Sequence, residues 1–148
     1  MSSGKPVIVN KKAKFEFSFL ETYVAGISLK GTEVKSIREG NVVISESYCH
    51  FVGNDLMIRD LHIAPYDKGN IHNVDPRRER KLLLKRKELI KLKEKSEQKG
   101  LTIIPIKIFF NSRNLAKLEI ALAKGKKLYD KREDIKTRDI KREMDRNG

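Results

Sequence analysis

Three observations in the sequence predict a mainly β protein, a small antiparallel barrel with short accessory helices. Strand-like segments are short and recur along most of the chain, whereas helical patterns are few. Turn residues separate neighbouring segments, as Gly53-Asn54 does between residues 47–52 and 56–63, which is a hairpin signal. No internal repeat and no linker between domains is found, so one domain is expected. A barrel is favoured because ring closure removes the exposed edges of a short sheet.

The first predicted elements are strands. Phe15, Phe17 and Phe19 alternate with polar residues, which predicts a half-buried strand. A second apolar stretch surrounds residues 26–29. The core is therefore expected to begin with two β segments.

Two helices are predicted, and each is followed by a glycine that ends it, Gly40 and Gly100. The shorter is Gly31–Arg38, with Val34 and Ile37 facing inward. The longer spans residues 77–99. Its apolar stripe recurs at intervals of seven residues and consists of Leu82, Leu83, Leu89 and Ile90.

The last two predicted strands lie around the turn residues 111–114. They are Leu101–Phe110 and residues 115–123. Pro105 has no amide donor, so the first of these strands is expected to have an edge or a bulge at that position.

Positive charge is concentrated in particular segments of this +13 chain. Residues 77–99 hold eleven bases and four acids, and residues 124–148 hold ten bases and six acids. Residues 1–13 hold three lysines and no acid, whereas residues 14–76 carry a net charge of −3. Basic attachments on a compact body are typical of a nucleic-acid binder. A basic protein with merely solvated lysine-rich faces is the alternative.

Several classes of protein are not supported by the sequence. Its one cysteine, Cys49, allows neither a disulfide framework nor a zinc site, and a small buried strand residue is the expected role. The histidines lack metal-ligand spacing, and no phosphate loop, nucleophile elbow or paired-carboxylate pattern occurs. No apolar run is long enough for a membrane span or a signal peptide. The expectations are a cytoplasmic binder, not an enzyme, without cofactor or metal.

The last 25 residues form a highly charged tail. From Lys124 they read KGKKLYDKREDIKTRDIKREMDRNG, too polar to bury a core of their own. Opposite charges are interleaved at helical spacing, as at Asp134 and Arg138. The tail is therefore expected to become a helix only against a polyanionic partner.

Several short strings carry a resemblance to a known family when they are taken together. They are Asn10-Lys11-Lys12-Ala13, GTEVKSIREG at 31–40, HIAPY at 62–66, Asp75-Pro76-Arg77, Arg80 with KLLL at 81–84, AKGKK at 123–127, DKRE at 130–133 and Arg138-Asp139. In this order and spacing the chain resembles the small protein B family, the SsrA-binding proteins that partner transfer-messenger RNA. The resemblance extends from Val9 to the tail.

The resemblance implies a six-stranded antiparallel barrel similar to an OB-fold, with short helices. The domain expectation is a basic N-terminal arm at residues 1–13, a barrel at 14–128 and a tail at 129–148. The tail is expected to be disordered in the free protein and helical on the ribosome.

The resemblance also implies a function in trans-translation. The protein would bind the tRNA-like domain of transfer-messenger RNA and deliver that RNA to stalled ribosomes. Its tail would enter the empty messenger channel, near the decoding centre and small-subunit RNA. The expected protein is a monomer that contacts no membrane.

The residues implied for these contacts fall into two sets. The RNA-binding set is Asn10, Lys11, Lys12, Lys35, Arg38, Leu83, Lys117, Lys124, Gly125, Lys126 and Lys127. The ribosome-contacting tail set is Tyr129, Asp130, Lys131, Arg132, Ile135, Lys136, Arg138, Ile140 and Met144. Within the first set Leu83 is expected to act through packing. Outside it, Glu33 is expected to have a structural role at the start of its helix.

Three positions depart from the family pattern. Val24 stands where the family often has an acid that supports RNA binding, and Glu21 is a speculative substitute. Val74 and Lys85 stand where histidines are common. Whether Val24 is exposed or belongs to the core is open from the sequence.

Two other functions fit parts of the sequence. A general single-strand RNA chaperone of OB type would need aromatic stacking platforms, but the chain has six Phe, four Tyr and no Trp. A ribosomal structural protein would be bound to the subunit permanently. RNA preference separates the first from the family function, and stall-dependent ribosome association separates the second.

Overall fold

A computed structural model describes residues 5–66 and 73–126 of the chain. Within these residues it contains nine strands and three helices. The elements are β1 Ile8–Val9, α1 Lys11–Glu16, β2 Phe17–Ile27, α2 Gly31–Arg38, β3 Val42–Val43, β4 Tyr48–Val52, β5 Asp55–Arg59, β6 His62–Ile63, β7 Arg80–Leu83, α3 Arg86–Ser96, β8 Leu101–Phe110 and β9 Ala116–Gly125.

Six strands form a closed antiparallel ring. Their order is β8-β4-β5-β7-β2-β9, and β9 pairs again with β8. The strand β1 pairs with β8 outside the ring, and β3 and β6 form a separate two-stranded sheet. The six-stranded barrel is therefore confirmed.

The inside of the ring is filled by apolar side chains from every strand of the barrel, most of them aliphatic. Ile58, Ile108, Leu118 and Ile120 are among its fully buried members. Two helices add buried side chains to this core, Ile37 from α2 and Leu92 from α3. A smaller cluster surrounds Ala13 of α1, so the chain is anchored to the barrel before residue 14.

Several local predictions are confirmed. The β4–β5 hairpin turns at Gly53, whose φ of +62° is one that residues with a side chain rarely adopt. Helix α2 has the predicted limits and buries Ile37, and positive φ values follow both α2 and α3, at Gly40 and Gly100. The register of β8 shifts between Pro105 and Lys107, which is the expected bulge.

The strand predicted around Phe15 begins later than expected. Residues Lys11–Glu16 form helix α1, and β2 starts at Phe17. Phe15 is exposed rather than half-buried. Three alternating phenylalanines suggested a period of two, but the capped turn that starts at Asn10 makes the first of them helical.

The long helix predicted at residues 77–99 is wrong in its first half. Arg80–Leu83 is strand β7, and only Arg86–Ser96 is helical. Burial alternates along β7, with Arg80 and Leu82 inside and Lys81 and Leu83 outside. Pairing with β5 and β2 overrides the helical propensity of these residues. The spacing of seven between Leu82 and Leu89 therefore links two different elements.

Cys49 lies in β4 and is buried, as expected of a small strand residue. Burial raises the pKa of its thiol well above the ordinary range. Along residues 5–66 and 73–126, none of the helices has the length and apolar character needed to cross a membrane.

Candidate nucleic-acid interface

Most of the predicted RNA-binding residues that the structure describes lie near the two ends of one strand pair, β2 and β9. At one end Phe17 lies opposite Gly125, and at the other Gly26 lies opposite Lys117. A rise of about 3.3 Å per residue separates these ends by about 25 Å. The two groups are called here the cleft end, at Gly26, and the arm end, at Phe17.

At the cleft end a concave surface of about 430 Å³ brings together residues from distant parts of the chain. Arg38 of α2, Leu83 of β7 and Lys117 of β9 all line it. All three were predicted as RNA-binding residues. Leu115, with more than half of its surface exposed, adds an apolar wall. The result is an open cleft with two cations beside two exposed leucines.

Leu83 does not have the predicted packing role. It is 53% exposed, because it points outward from β7 while its neighbour Leu82 fills the core. It lies directly over Gly26, where an added Cβ would come within 3.2 Å of the Leu83 Cβ. Gly26 therefore leaves room for the leucine, and an isolated glycine in a strand was a signal for such a close approach.

Helix α2 presents its two predicted cations next to aromatic rings. The Lys35 Nζ lies 5.4 Å from the ring centre of Tyr66, and the Arg38 Cζ lies 5.8 Å from that of Phe110. At these distances a cation is attracted to the ring face. The rings hold both side chains at the surface of α2. Nothing in the local sequence indicated Tyr66 or Phe110, because both contacts join distant segments.

Glu33 has the predicted structural role. It is 3% exposed and accepts a hydrogen bond of 2.8 Å from the backbone N–H of Lys30, which caps α2. Its charge is paired with Arg78 and Arg80. Burial alone would raise the pKa of Glu33, but the hydrogen bonds from Arg78, the Lys30 amide and Arg80 lower it below its ordinary value.

At the arm end, basic residues of α1 and β9 lie close together. The backbone N–H of Lys126 donates to the Glu16 carbonyl over 2.8 Å, which places the end of β9 beside α1. Lys11, Lys12 and Lys124 are exposed there. The open space at Gly125, where an added Cβ would meet nothing within 4 Å, fits a close approach of RNA backbone.

At the arm end, Lys12 contacts two carboxylates. Its Nζ lies 3.0 Å from Glu46 and 3.9 Å from Glu16. The hydrogen bond to Glu46, and then the charges of both acids, raise the pKa of Lys12. The pair is exposed to solvent, so it constrains the lysine weakly.

Asn10 was predicted to contact RNA, but its side chain is buried and instead holds neighbouring segments in place. It is 4% exposed, and its Oδ1 accepts from the Ala13 N–H over 3.2 Å as the N-cap of α1. Its Nδ2 donates to the Pro105 carbonyl over 2.9 Å, and its backbone N–H donates to Ile106. The side chain thus attaches α1 to the bulge of β8. A buried amide used in this way supports the arm end from inside.

Val24, which stands where the family often has an acidic residue, is exposed. Val24 is 51% exposed, points to the same side of β2 as Gly26 and lies opposite Glu119. Glu21 is not free to replace the acid, because Lys95 and Tyr23 both donate to it. These hydrogen bonds lower the pKa of Glu21. The pKa of Tyr23 is raised to about 12, first by burial and second by its hydrogen bond to Glu21.

The remaining predicted residues lie outside the described part of the chain. They are Lys127, Tyr129, Asp130, Lys131, Arg132, Ile135, Lys136, Arg138, Ile140 and Met144. Among the described residues, no three His, Cys, Asp or Glu side chains come together as a metal site.

Comparison with known proteins places this arrangement in a family. The model of the SmpB protein family matches residues 7–148. The chain belongs to the SmpB family. An SsrA-binding protein of Cytophaga hutchinsonii is 58% identical over 139 residues, which cover 94% of this chain and 91% of that protein. An SsrA-binding protein of Thermus thermophilus is 51% identical over 140 residues, covering 95% and 97% of the two chains.

A solved structure shares the fold. It is described as "tmRNA-SmpB: a journey to the center of the bacterial ribosome" and superposes with a TM-score of 0.72. The two chains are 51% identical, and the match covers 88% of this chain and 94% of the other. The expected family and the expected fold are both confirmed.

Proposed function

We propose that this protein is an RNA-binding factor of trans-translation. It binds the tRNA-like domain of transfer-messenger RNA and brings that RNA to stalled ribosomes. One observation carries the proposal: Arg38, Leu83 and Lys117, far apart in sequence, line one open cleft on the outside of the barrel. The matching solved chain comes from a complex of transfer-messenger RNA and SmpB at the ribosome.

The proposed interface includes both ends of the β2–β9 pair. At the cleft end Lys35, Arg38 and Lys117 attract phosphates, while Leu83 contacts an apolar part of the RNA. At the arm end the contacts are Lys11, Lys12, Lys124, Gly125 and Lys126, with Asn10 in support and Lys127 as a further proposed contact. A separation of about 25 Å equals about seven stacked nucleotides at 3.4 Å each. One folded RNA bridges that distance, and folded RNA is recognised by shape, phosphates and 2′-hydroxyls.

The protein acts by binding and has no turnover of its own. It works in the cytoplasm as a monomer, and its parts are an arm at residues 1–13, the barrel and a tail from residue 129. Because β1 and Ala13 pack on the barrel, the arm is held to it from Ile8 onward. The tail probes the messenger channel with the residues from Tyr129 to Met144.

A competition for RNA tests the proposal. The tRNA-like domain and a random RNA of equal length compete for the protein while the salt concentration is raised. Because phosphate attraction weakens with salt, a preference that persists at high salt reflects shape and apolar contacts. We expect the tRNA-like domain to be preferred throughout. Equal affinity for both RNAs would support the general chaperone instead, and ribosome association without stalling would support a permanent subunit protein.

Removal of the tail tests its separate function. Deleting residues from Tyr129 onward is expected to leave binding of the tRNA-like RNA nearly unchanged and to abolish rescue of stalled ribosomes. Residues 130–148 hold seven bases and six acids, so they contribute little long-range attraction. Ile140→Pro is expected to reproduce part of the loss, because proline breaks a helix without changing charge. Full tagging activity of the proline variant would mean that helix formation is not required.

A further inference from the structure

One buried carboxylate connects the segments that form the cleft. The Oε1 of Glu33 accepts from the Lys30 N–H at 2.8 Å and from Arg78 Nη2 at 2.5 Å. Its Oε2 accepts from Arg78 Nε at 3.2 Å and Arg80 Nε at 2.6 Å. The two oxygens therefore connect the N-cap of α2 with the arginines in and just before β7.

The two arginines extend these connections. Arg80, with 0% exposure, also donates to the carbonyls of Leu61 at 2.7 Å and Pro76 at 3.0 Å. Arg78 donates to the carbonyl of Ser28, at the end of β2, over 3.2 Å. The planar guanidinium has a rigid set of donors, so each arginine holds several segments in one geometry. The three side chains Glu33, Arg78 and Arg80 are called here the α2 clamp.

The clamp lies between two walls of the cleft. Helix α2 carries Lys35 and Arg38 on its exposed side, and β7 carries Leu83. Glu33 and the two arginines connect α2 with β7 and with the residues just before it, so they help to hold α2 beside β7. Ile37 packs α2 on the core and the Ser36 hydroxyl donates to the Ala64 carbonyl over 2.6 Å, whereas the ion pairs of Glu33 hold the first turn of the helix with charged hydrogen bonds.

We propose that Arg78 is a positioning residue for RNA binding, which acts through Glu33 to hold the cations of α2 at the cleft. The inference rests on the proposed function. Arg78 belongs to the most basic stretch of the chain, yet its Nε and Nη2 donate to Glu33 and its Nη1 to the Glu79 carbonyl over 3.4 Å. Its described hydrogen bonds all go to acceptors of the protein itself. It therefore improves RNA affinity without contacting a phosphate.

Salt dependence separates positioning from direct contact. Arg78→Gln and its control Arg77→Gln each remove one charge, and Arg77 is exposed one residue away. Binding of a transcript of the tRNA-like domain is measured over a series of salt concentrations. We expect Arg78→Gln to weaken binding about tenfold, a usual size for residues coupled in one network. In a protein that already lacks both α2 cations, Lys35→Gln/Arg38→Gln, the change Arg78→Gln should leave the salt slope unchanged, whereas a slope smaller by about one more unit would mean a phosphate contact of Arg78 itself and overturn the proposal.

A double-mutant cycle shows whether Arg78 acts through α2. Arg38→Gln is measured in the wild-type, Arg78→Gln and Arg77→Gln proteins. If Arg78 positions Arg38, the loss caused by Arg38→Gln is smaller once Arg78 is gone, and it is unchanged in the Arg77→Gln protein. Independent losses in the Arg78→Gln protein would contradict the proposal.

A measurement without RNA completes the test. Hydrogen exchange is expected to become faster in the amides of α2 in the Arg78→Gln protein and not in the Arg77→Gln protein. A lower melting temperature with unchanged RNA affinity of the folded protein would make the arginine a stabilising residue only. If the wild-type protein does not bind the transcript, the proposed function fails, and the exchange data still decide whether Arg78 holds α2.

Discussion

The cleft end and the arm end of the β2–β9 pair both expose cations, but they hold them in different ways. At the cleft end the support is ionic and long-range in sequence, because Glu33 of α2 pairs with Arg80 of β7. At the arm end the support is a neutral amide, Asn10, which caps the helix that follows it. The difference indicates that the cleft end is a shaped site, whereas the arm end mainly presents exposed positive charge.

The largest effect on stability is expected from a substitution that breaks the ion pairs at the cleft end. Glu33→Ala leaves the fully buried Arg80 without its carboxylate, and loss of one partner of a buried pair costs about 3–5 kcal/mol. Urea unfolding measures this cost. The matched change at the arm end, Glu46→Ala, removes the exposed partner of Lys12 and should leave the unfolding free energy nearly unchanged. Similar losses in both variants would remove the distinction between the two ends.

The ion pair between Glu33 and Arg80 also predicts that the stability of the protein depends on pH. The pKa of Glu33 is lowered in the folded protein from an ordinary value of 4.5. A carboxyl group with a lowered pKa stabilises the fold above its unfolded pKa, and this contribution is lost as the pH falls through the folded value. Wild-type stability should therefore fall below about pH 4.5, and Glu33→Gln should lack this part of the fall. Parallel pH profiles of the two proteins would contradict the assignment.

The next effect concerns charge at the arm end. Changing Lys124, Lys126 and Lys127 together to alanine should weaken RNA binding and flatten its salt dependence by up to about one unit of slope per phosphate contact. The control changes three exposed lysines elsewhere, Lys85, Lys87 and Lys99. Both variants should melt like the wild-type protein. Equal slopes for wild type and the first variant would exclude these lysines from the interface.

The corresponding change at the cleft end should alter RNA affinity without altering its salt dependence. Leu83→Ala removes an exposed apolar contact, so we expect RNA affinity to fall by about 1–2 kcal/mol at an unchanged salt slope. Ile90 is an equally exposed residue on α3, and Ile90→Ala is the control. A drop in melting temperature as large as the loss of affinity would restore the packing role that the sequence suggested for Leu83.

The smallest effect is expected between the two ends. Val24→Glu restores a carboxylate at an exposed position, opposite Glu119. Like charges directly across an antiparallel pair cost about 0.2–1 kcal/mol, so the melting temperature should fall slightly. The double variant Val24→Glu/Glu119→Gln should recover it. RNA affinity should be retained or improved in both, and a large fall in melting temperature would mean that Val24 contributes to the core.

Local signals in the sequence were sufficient for the hairpin at Gly53, for α2 and for the bulge at Pro105. In each of these cases the deciding residues are neighbours in the chain. The error at residues 77–99 has the opposite cause, since β7 forms only because Gly26 and Met57 lie beside it. No pattern within a run of bases and leucines indicates partners that are 20 to 60 residues away.

The residues of the candidate site could be predicted from the sequence, but their arrangement in space could not. Strings matching a family identified Arg38 and Leu83, and the resemblance implied Lys117, but nothing in the sequence showed that one cleft joins them. Nothing in its run of basic residues marked Arg80 as buried, although it is the largest fully buried side chain of the described residues. A buried charge is recognised only when its partner is known, and that partner lies 47 residues earlier.

The closure of the ring by β9 affects how the protein folds during its synthesis. The first strand of the ring, β2, pairs along most of its length with the last, at partners more than 90 residues apart. Contacts at such separation make folding slow, and a growing chain on the ribosome cannot complete them until Gly125 has been synthesised. A nascent chain that stops before Ala116 leaves β2 and β8 without the strand between them, and such open edges are sites of aggregation.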